Sequence, residues 1–253
     1  MKRYLVLMIS CICVFTISTL VSAQLTGQEV LDKVKISTEP QTSYVKMRME
    51  LYSSSGQLRR RSLEGYRDNQ GDDKAMNRFL SPATVEGTSF LSLDKDNDED
   101  MYLYLPALGS VRKISSSQKN GSFVGTDFTY NDLNLIGGGN YNKDYDATIL
   151  VENDQEYILK LVPTDSDIDY KYLKMWINKK EWHMIKVEFY DERGKLEKVL
   201  TPESFEKIAG YWTAHKSTME NIQEGSKTVI YMEEITYDKA INDRIFTTRY
   251  LSR

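Results

Sequence analysis

The sequence predicts a mainly β fold: one large antiparallel sheet, strongly curved or partly closed into a barrel. Three observations carry that prediction. Tyr, Val, Ile, Phe and Thr recur along a 253-residue chain that has only five prolines, and these residues suit a pleated, half-buried surface. Apolar and polar residues alternate with period two over many short runs. Ten or more such runs follow at hairpin spacing, with turn residues between them.

The N-terminus is set apart first. Met1-Lys2-Arg3 is positive, Tyr4 to Val21 is apolar, and Val21-Ser22-Ala23 ends in small residues. Residues 1–23 therefore read as a secretory signal peptide cleaved after Ala23, with a retained anchor as the alternative. Both cysteines, Cys11 and Cys13, lie inside it, and Met8-Ile9-Ser10 fits a lipid-attachment site poorly. The mature chain then has no disulfide to draw on and depends on its core. Residues 24–253 read as a single domain, since large all-β folds reach this size undivided. Without Lys2 and Arg3, 31 basic residues face 37 acidic ones, a net charge near −6. That balance argues against a nucleic-acid binder.

The first element is a short helix over 25–34. Thr26 and Glu29 form a capping box, and Val30, Leu31 and Val34 make one apolar stripe. Val45, Met47, Met49 and Leu51 then alternate with Lys46, Arg48 and Glu50. Ser53-Ser54-Ser55-Gly56 turns the chain into a strand over 58–66, and Asn69-Gln70-Gly71 turns it into another over 74–80. Strands over 87–93, 101–105 and 110–115 continue the sheet.

The stretch 116–142 differs. It is rich in Gly, Ser and Asn, yet carries Phe123, Phe128, Tyr130, Leu133, Leu135 and Ile136. Thr126-Asp127-Phe128 opens a predicted short helix towards Leu133, and Gly137-Gly138-Gly139 breaks it. A connection this long inside one domain is usually functional. Strands resume over 146–151, 157–162, 172–178, 183–190, 196–208, 211–222 and 227–237, and a closing segment of open type follows over 241–251.

Catalytic signatures are missing. Asp94, Asp96, Asp98 and Asp100 lack the Gly and Glu of a calcium loop, and read as a solvated hairpin tip. His183 and His215 are not at metal-ligand spacing and read as strand residues. No nucleophile elbow or phosphate loop is present. Asn120-Gly121-Ser122 fits a glycosylation acceptor, a pattern common by chance. Arg59-Arg60-Arg61 and Arg112-Lys113 are basic patches on strands. Met47 and Met49 share an expected inward face, and Met101, Met175, Met184, Met219 and Met232 lie on other predicted strands. Methionine suits surfaces that accept varied apolar ligands. One short helix cannot cover the concave face of so large a sheet, so the 116–142 segment, a C-terminal element or a ligand must.

Two stretches carry a family resemblance. Tyr104-Leu105-Pro106-Ala107-Leu108-Gly109-Ser110-Val111-Arg112-Lys113-Ile114 and Ser122-Phe123-Val124-Gly125-Thr126-Asp127-Phe128-Thr129-Tyr130-Asn131-Asp132-Leu133 resemble the outer-membrane lipoprotein-sorting (LolA-like) proteins of bacteria. Arg78-Phe79-Leu80-Ser81-Pro82 and Gly87-Thr88-Ser89-Phe90-Leu91 also match. The resemblance implies an unclosed half barrel with a few short helices covering the concave face. It implies a hydrophobic cavity for the acyl chains of a lipoprotein or lipid, a periplasmic location and transient membrane contact. It also implies exchange with an inner-membrane transporter of the RND or ABC type. Arg78 and Arg112 are the candidates for holding a lid or a head group.

The reading is therefore a periplasmic carrier, with no enzymatic activity and no cofactor or metal. The expected wall comprises Val45, Met47, Met49, Leu51, Met101, Leu103, Leu105, Leu173, Met175, Ile177, Ile185, Val187 and Phe189. The 116–142 segment is the expected gate, with Phe123 and Phe128 plugging the cavity when it is empty. The rival reading is a periplasmic sensor or transporter-accessory subunit that uses the same fold to bind a protein partner.

Overall fold

A computed structural model describes residues 24–95, 98–133 and 141–253. The proposed signal peptide (1–23), the tip of the acidic hairpin and Gly137-Gly138-Gly139 lie outside the described residues. Among those described, thirteen strands form one antiparallel sheet that does not close. Each predicted strand is present, with ends shifted by a few residues at most.

Two meanders build the sheet. The first runs through β1 (Thr42–Tyr52), β2 (Leu58–Asp68), β3 (Lys74–Ser81), β4 (Ser89–Lys95), β5 (Asp98–Leu105) and β6 (Ser110–Lys113). The second comprises β7 (Tyr145–Glu152), β8 (Glu156–Pro163), β9 (Tyr170–Asn178), β10 (Met184–Asp191), β11 (Leu196–Ile208), β12 (Tyr211–Asn221) and β13 (Ser226–Tyr237). Strand order is β6-β5-β4-β3-β2-β1-β13-β12-β11-β10-β9-β8-β7, so the first and last strands pair at the centre. The link from β6 to β7 must then connect opposite edges. It does so across the inner face, where Ile114, Phe123, Phe128 and Tyr130 join the main core. This crossing segment, residues 114–133, is called the plug below.

A second cover is α1 (Gly27–Thr38). Its Thr26–Glu29 capping box forms as predicted, and Val30, Leu31 and Val34 are fully buried. The helix packs against β7 and β12, and so lies across the strands between them. Gly27 permits this approach, because a Cβ there would sit 2.3 Å from the Ala147 carbonyl oxygen. Short helix α2 (Ser116–Lys119) lies within the plug, and α3 (Tyr141–Asp144) leads into β7.

Residues 126–132 do not form the helix expected there. The Thr126 hydroxyl donates to Phe123 O at 2.9 Å, and the Asp132 carboxylate accepts from Thr129 N at 2.8 Å. Such local side-chain bonds compete with a helical ladder and hold a turn instead. The C-terminal segment, with α4 (Thr248–Leu251), packs on the outer face. Phe246 and Leu251 form a small second core there with Met76 and Leu91. No helix among the described residues is long and apolar enough to cross a membrane.

Candidate functional site

A cavity of about 190 Å³ lies on the inner face between the plug and the C-terminal end of α1. Strands from both meanders wall it, from β1 through β5 and from β10 through β13. The strand alternation explains its make-up. Inward positions on the first arm include Ser43, Gly65, Ala75, Asn77 and Ser92. These side chains are too small to meet the cover above them. The larger lining residues include five methionines: Met47, Met49, Met101, Met184 and Met232. Their unbranched chains adapt to an irregular guest.

Of the residues expected to form the wall, Val45, Met47, Met49 and Met101 line the cavity, and Phe123 closes its plug end. Leu51 and Phe128 are core residues that do not reach it, and Leu103 packs against the same core. Leu173, Met175, Ile177, Val187 and Phe189 share the inward face, as expected, but all are fully buried with the α1 stripe in solid core. Leu105 and Ile185 are only partly buried and are not part of this cavity's lining. For Ile185 the cause is a register shift between Met184 and Lys186 against β9. The extra residue reverses the alternation, so Met184 takes the inward place. Among the wall residues missed by sequence reasoning are Met184, Leu200, Ile230 and Met232.

Neither candidate for holding a lid or head group, Arg78 or Arg112, lines the cavity. Arg78 points outward: it donates to Ser89 Oγ at 3.1 Å and to Tyr250 O at 2.8 Å, and so holds the C-terminal segment. Arg112 is exposed on edge strand β6. The arginine that touches the plug is Arg61, which is buried and donates to Val124 O. Burial lowers its pKa from the ordinary value. Arg61 shares strand parity with Leu63 and Gly65, and that signal was available in the sequence.

The plug is tied on both sides. Asp127 accepts from the Thr228 hydroxyl at 2.6 Å. Asp132, 1 % exposed, accepts from the Tyr170 hydroxyl at 3.0 Å and meets Lys198 Nζ at 3.4 Å. Burial, then the Asp132 charge, pushes the Tyr170 hydroxyl well above its usual pKa. At the tip, Val124 sits at φ 49°, a left-handed conformation that a β-branched residue rarely adopts. Arg61 holds its carbonyl, and Tyr130 takes a backbone hydrogen bond from the same residue.

Polar groups gather at the opposite end, beside α1. Register places Ser92 opposite Ala75, Ala75 opposite Arg67, Arg67 opposite Ser43, and Ser43 opposite Tyr237. The Tyr237 hydroxyl lies 3.1 Å from Thr213 Oγ1. All six residues line the cavity. His183 lines this end too, stacked on Phe205 at 3.8 Å and buried rather than placed on a strand as expected. Its ring nitrogens bond Glu181 and the Met184 carbonyl, so neither faces a hydroxyl it might activate. No cluster of three metal-ligating side chains occurs among the described residues.

Size limits what this cavity holds. An enclosed apolar cavity of about 150 Å³ takes one benzene molecule. At about 190 Å³, the site as it stands admits a short apolar segment rather than a whole acyl chain.

A family model described as an uncharacterized protein matches residues 71–253. The structure of an outer membrane lipoprotein-sorting protein domain from Vibrio parahaemolyticus is 30% identical, with a TM-score of 0.82, covering 90% of this chain and 98% of that one. A DUF1329 family protein from Desulfovibrio piger is 28% identical with a TM-score of 0.82, covering 89% and 97%. A LolA superfamily protein from Nitrosomonas europaea, 22% identical over 90% of this chain and 100% of that one, shares the fold with a TM-score of 0.73. No curated protein matches.

Proposed function

The chain belongs to the family of outer-membrane lipoprotein-sorting, LolA-like proteins, and on that premise we propose that it is a periplasmic carrier of acyl chains. Its cargo is a lipoprotein or a lipid, received at the inner membrane from an RND or ABC transporter and passed towards the outer membrane. The observation that carries this reading is the hollow under the plug, walled by methionines and by strand positions too small to fill it. Each CH₂ moved there from water contributes about 0.8 kcal/mol, so a long chain is held without any reacting group. Full occupancy requires Phe123, Tyr130 and Leu133 to move off the cavity end, which makes the plug the gate.

Delipidated protein titrated with a fluorescent fatty acid such as cis-parinaric acid tests this. Val45→Trp fills the wall at a half-buried position, and should weaken binding at least tenfold while leaving the unfolding midpoint nearly unchanged. Hydrogen exchange in residues 116–133 should change when the fatty acid binds. A wild type that takes up no fatty acid would sink the proposal.

A further inference from the structure

The cavity is not uniformly apolar, and its polarity is ordered along the strands. Successive inward residues on β1 are Ser43, Val45, Met47 and Met49. At about 3.3 Å per residue they span about 20 Å. Apolar residues line the Met49 end, where Phe123 closes it. The Ser43 end is crossed by one continuous row from Ser92 through Arg67 and Ser43 to Tyr237 and Thr213.

Arg67 is the one charged side chain in that lining, and only 7 % of it is exposed. Its Nε donates to Asn69 Oδ1 at 2.9 Å, and its Nη2 donates to Asp73. A guanidinium has five N–H donors in a fixed fork. No further hydrogen bond to Arg67 occurs among the described residues, and Nη1 is not one of the fully enclosed unpaired atoms, so it borders the open cavity with donor capacity to spare. In the same row stand Ser43, Ser92, whose hydroxyl donates to the Glu99 carboxylate, and Thr213, whose hydroxyl meets the Tyr211 carbonyl and the Tyr237 hydroxyl. Asp73 and the Glu39 carboxylate oppose a second negative charge here, whereas the fork geometry favours a group with paired oxygens.

We propose that this row is a head-group subsite, and that the cavity takes a single-chain amphiphile whose anionic oxygens meet Arg67 while its tail runs along β1 towards Phe123. Carboxylate and phosphate heads share this chemistry. The inference rests on the carrier reading, and it adds an orientation and a head-group preference.

Calorimetric titration with three probes of one tail length tests it: dodecanoate, dodecyl phosphate and dodecanol. A charge-assisted hydrogen bond in a buried place is worth about 1.5–3 kcal/mol, so at least one anion should bind wild type tenfold or more tighter than the alcohol. The stronger anion identifies the head. Arg67→Met should abolish the preference, bringing the anions to the affinity of dodecanol or below, and Arg67→Lys should restore part of it. Equal binding of all three probes by wild type overturns the subsite and leaves the carrier reading standing. Binding of none overturns the carrier reading and the subsite with it. The wild-type comparison needs no variant, so a poorly folding Arg67→Met leaves the result decisive.

Discussion

The two arms of this sheet bury their inner faces in opposite ways. On β8, β9 and β10 the inward residues are Tyr157, Leu159, Leu161, Leu173, Met175, Ile177, Val187 and Phe189, and all are buried in one core with Val30, Leu31 and Val34 of α1. On β1 to β4 the inward set includes Ser43, Gly65, Ala75, Asn77 and Ser92, and the space above is partly open. The backbone plan is the same in both arms. The hollow therefore comes from side-chain volume and from the cover laid over it. Protein interiors otherwise pack to crystal-like density, so a row of small residues on an inward face is itself a signal.

The sharpest way to break this contrast is to cut the tie between the arms. Asp132 of the plug and Lys198 of β11 are both buried, 3.4 Å apart. Lys198→Met strands the Asp132 charge, which should cost about 3–5 kcal/mol in urea unfolding. Asp132→Asn combined with Lys198→Met should cost less than the two single substitutions together. If Lys198→Met costs under about 1 kcal/mol, the pair behaves as a surface pair and the plug is held by its apolar contacts.

A second test compares truncations. Phe189→Ala opens a void in the solid arm and should cost about 3–5 kcal/mol. Met232→Ala removes a half-buried side chain that already borders open space, and should cost about 1 kcal/mol. Equal costs would show that the cavity is closed by packing in solution.

The strands were legible because their turns were. Ser53-Ser54-Ser55-Gly56 and Asp191-Glu192-Arg193-Gly194 each separate two alternating runs, and the hairpins form there. The plug was legible as an aberrant stretch, since only its mixture of aromatic residues and glycine fits neither strand nor solvated loop. Its turn was not, because the Thr126 and Asp132 side chains bond to local backbone that a helix would otherwise use. The identity of the wall was half legible. Period two gave the inward face, and nothing local says that α1 covers Leu173 and Phe189 while leaving Val45 uncovered. The bulge at Ile185 lay beyond sequence reasoning as well, since one extra residue reverses parity with no compositional mark.

Where the solid arm meets the hollow one, α1 ends at Glu39. Its side chain is 7 % exposed, Lys35 Nζ stands 3.7 Å away, and one carboxylate oxygen has no hydrogen-bond partner. Burial raises its pKa from 4.5 to about 7; Lys35 and Arg67 oppose that shift, and Asp73 adds to it. A carboxyl whose pKa rises on folding holds its proton more tightly in the native state. Between pH 4.5 and about 7 the native chain then carries more protons than the unfolded one, so stability falls as pH rises through that window. At 1.36 kcal/mol per pKa unit, with allowance for residual solvation, the loss is about 2 kcal/mol. Glu39→Gln keeps the shape and removes the charge. It should stabilise the protein by about that amount at pH 8 and change little at pH 5, read from urea midpoints at both values. The substitution should also steepen anion binding at the neighbouring Arg67, because the carboxylate that competes for that corner is gone. An unchanged slope of stability against pH would show that Glu39 is solvated at the rim, and that the boundary between the arms is open to water on the α1 side.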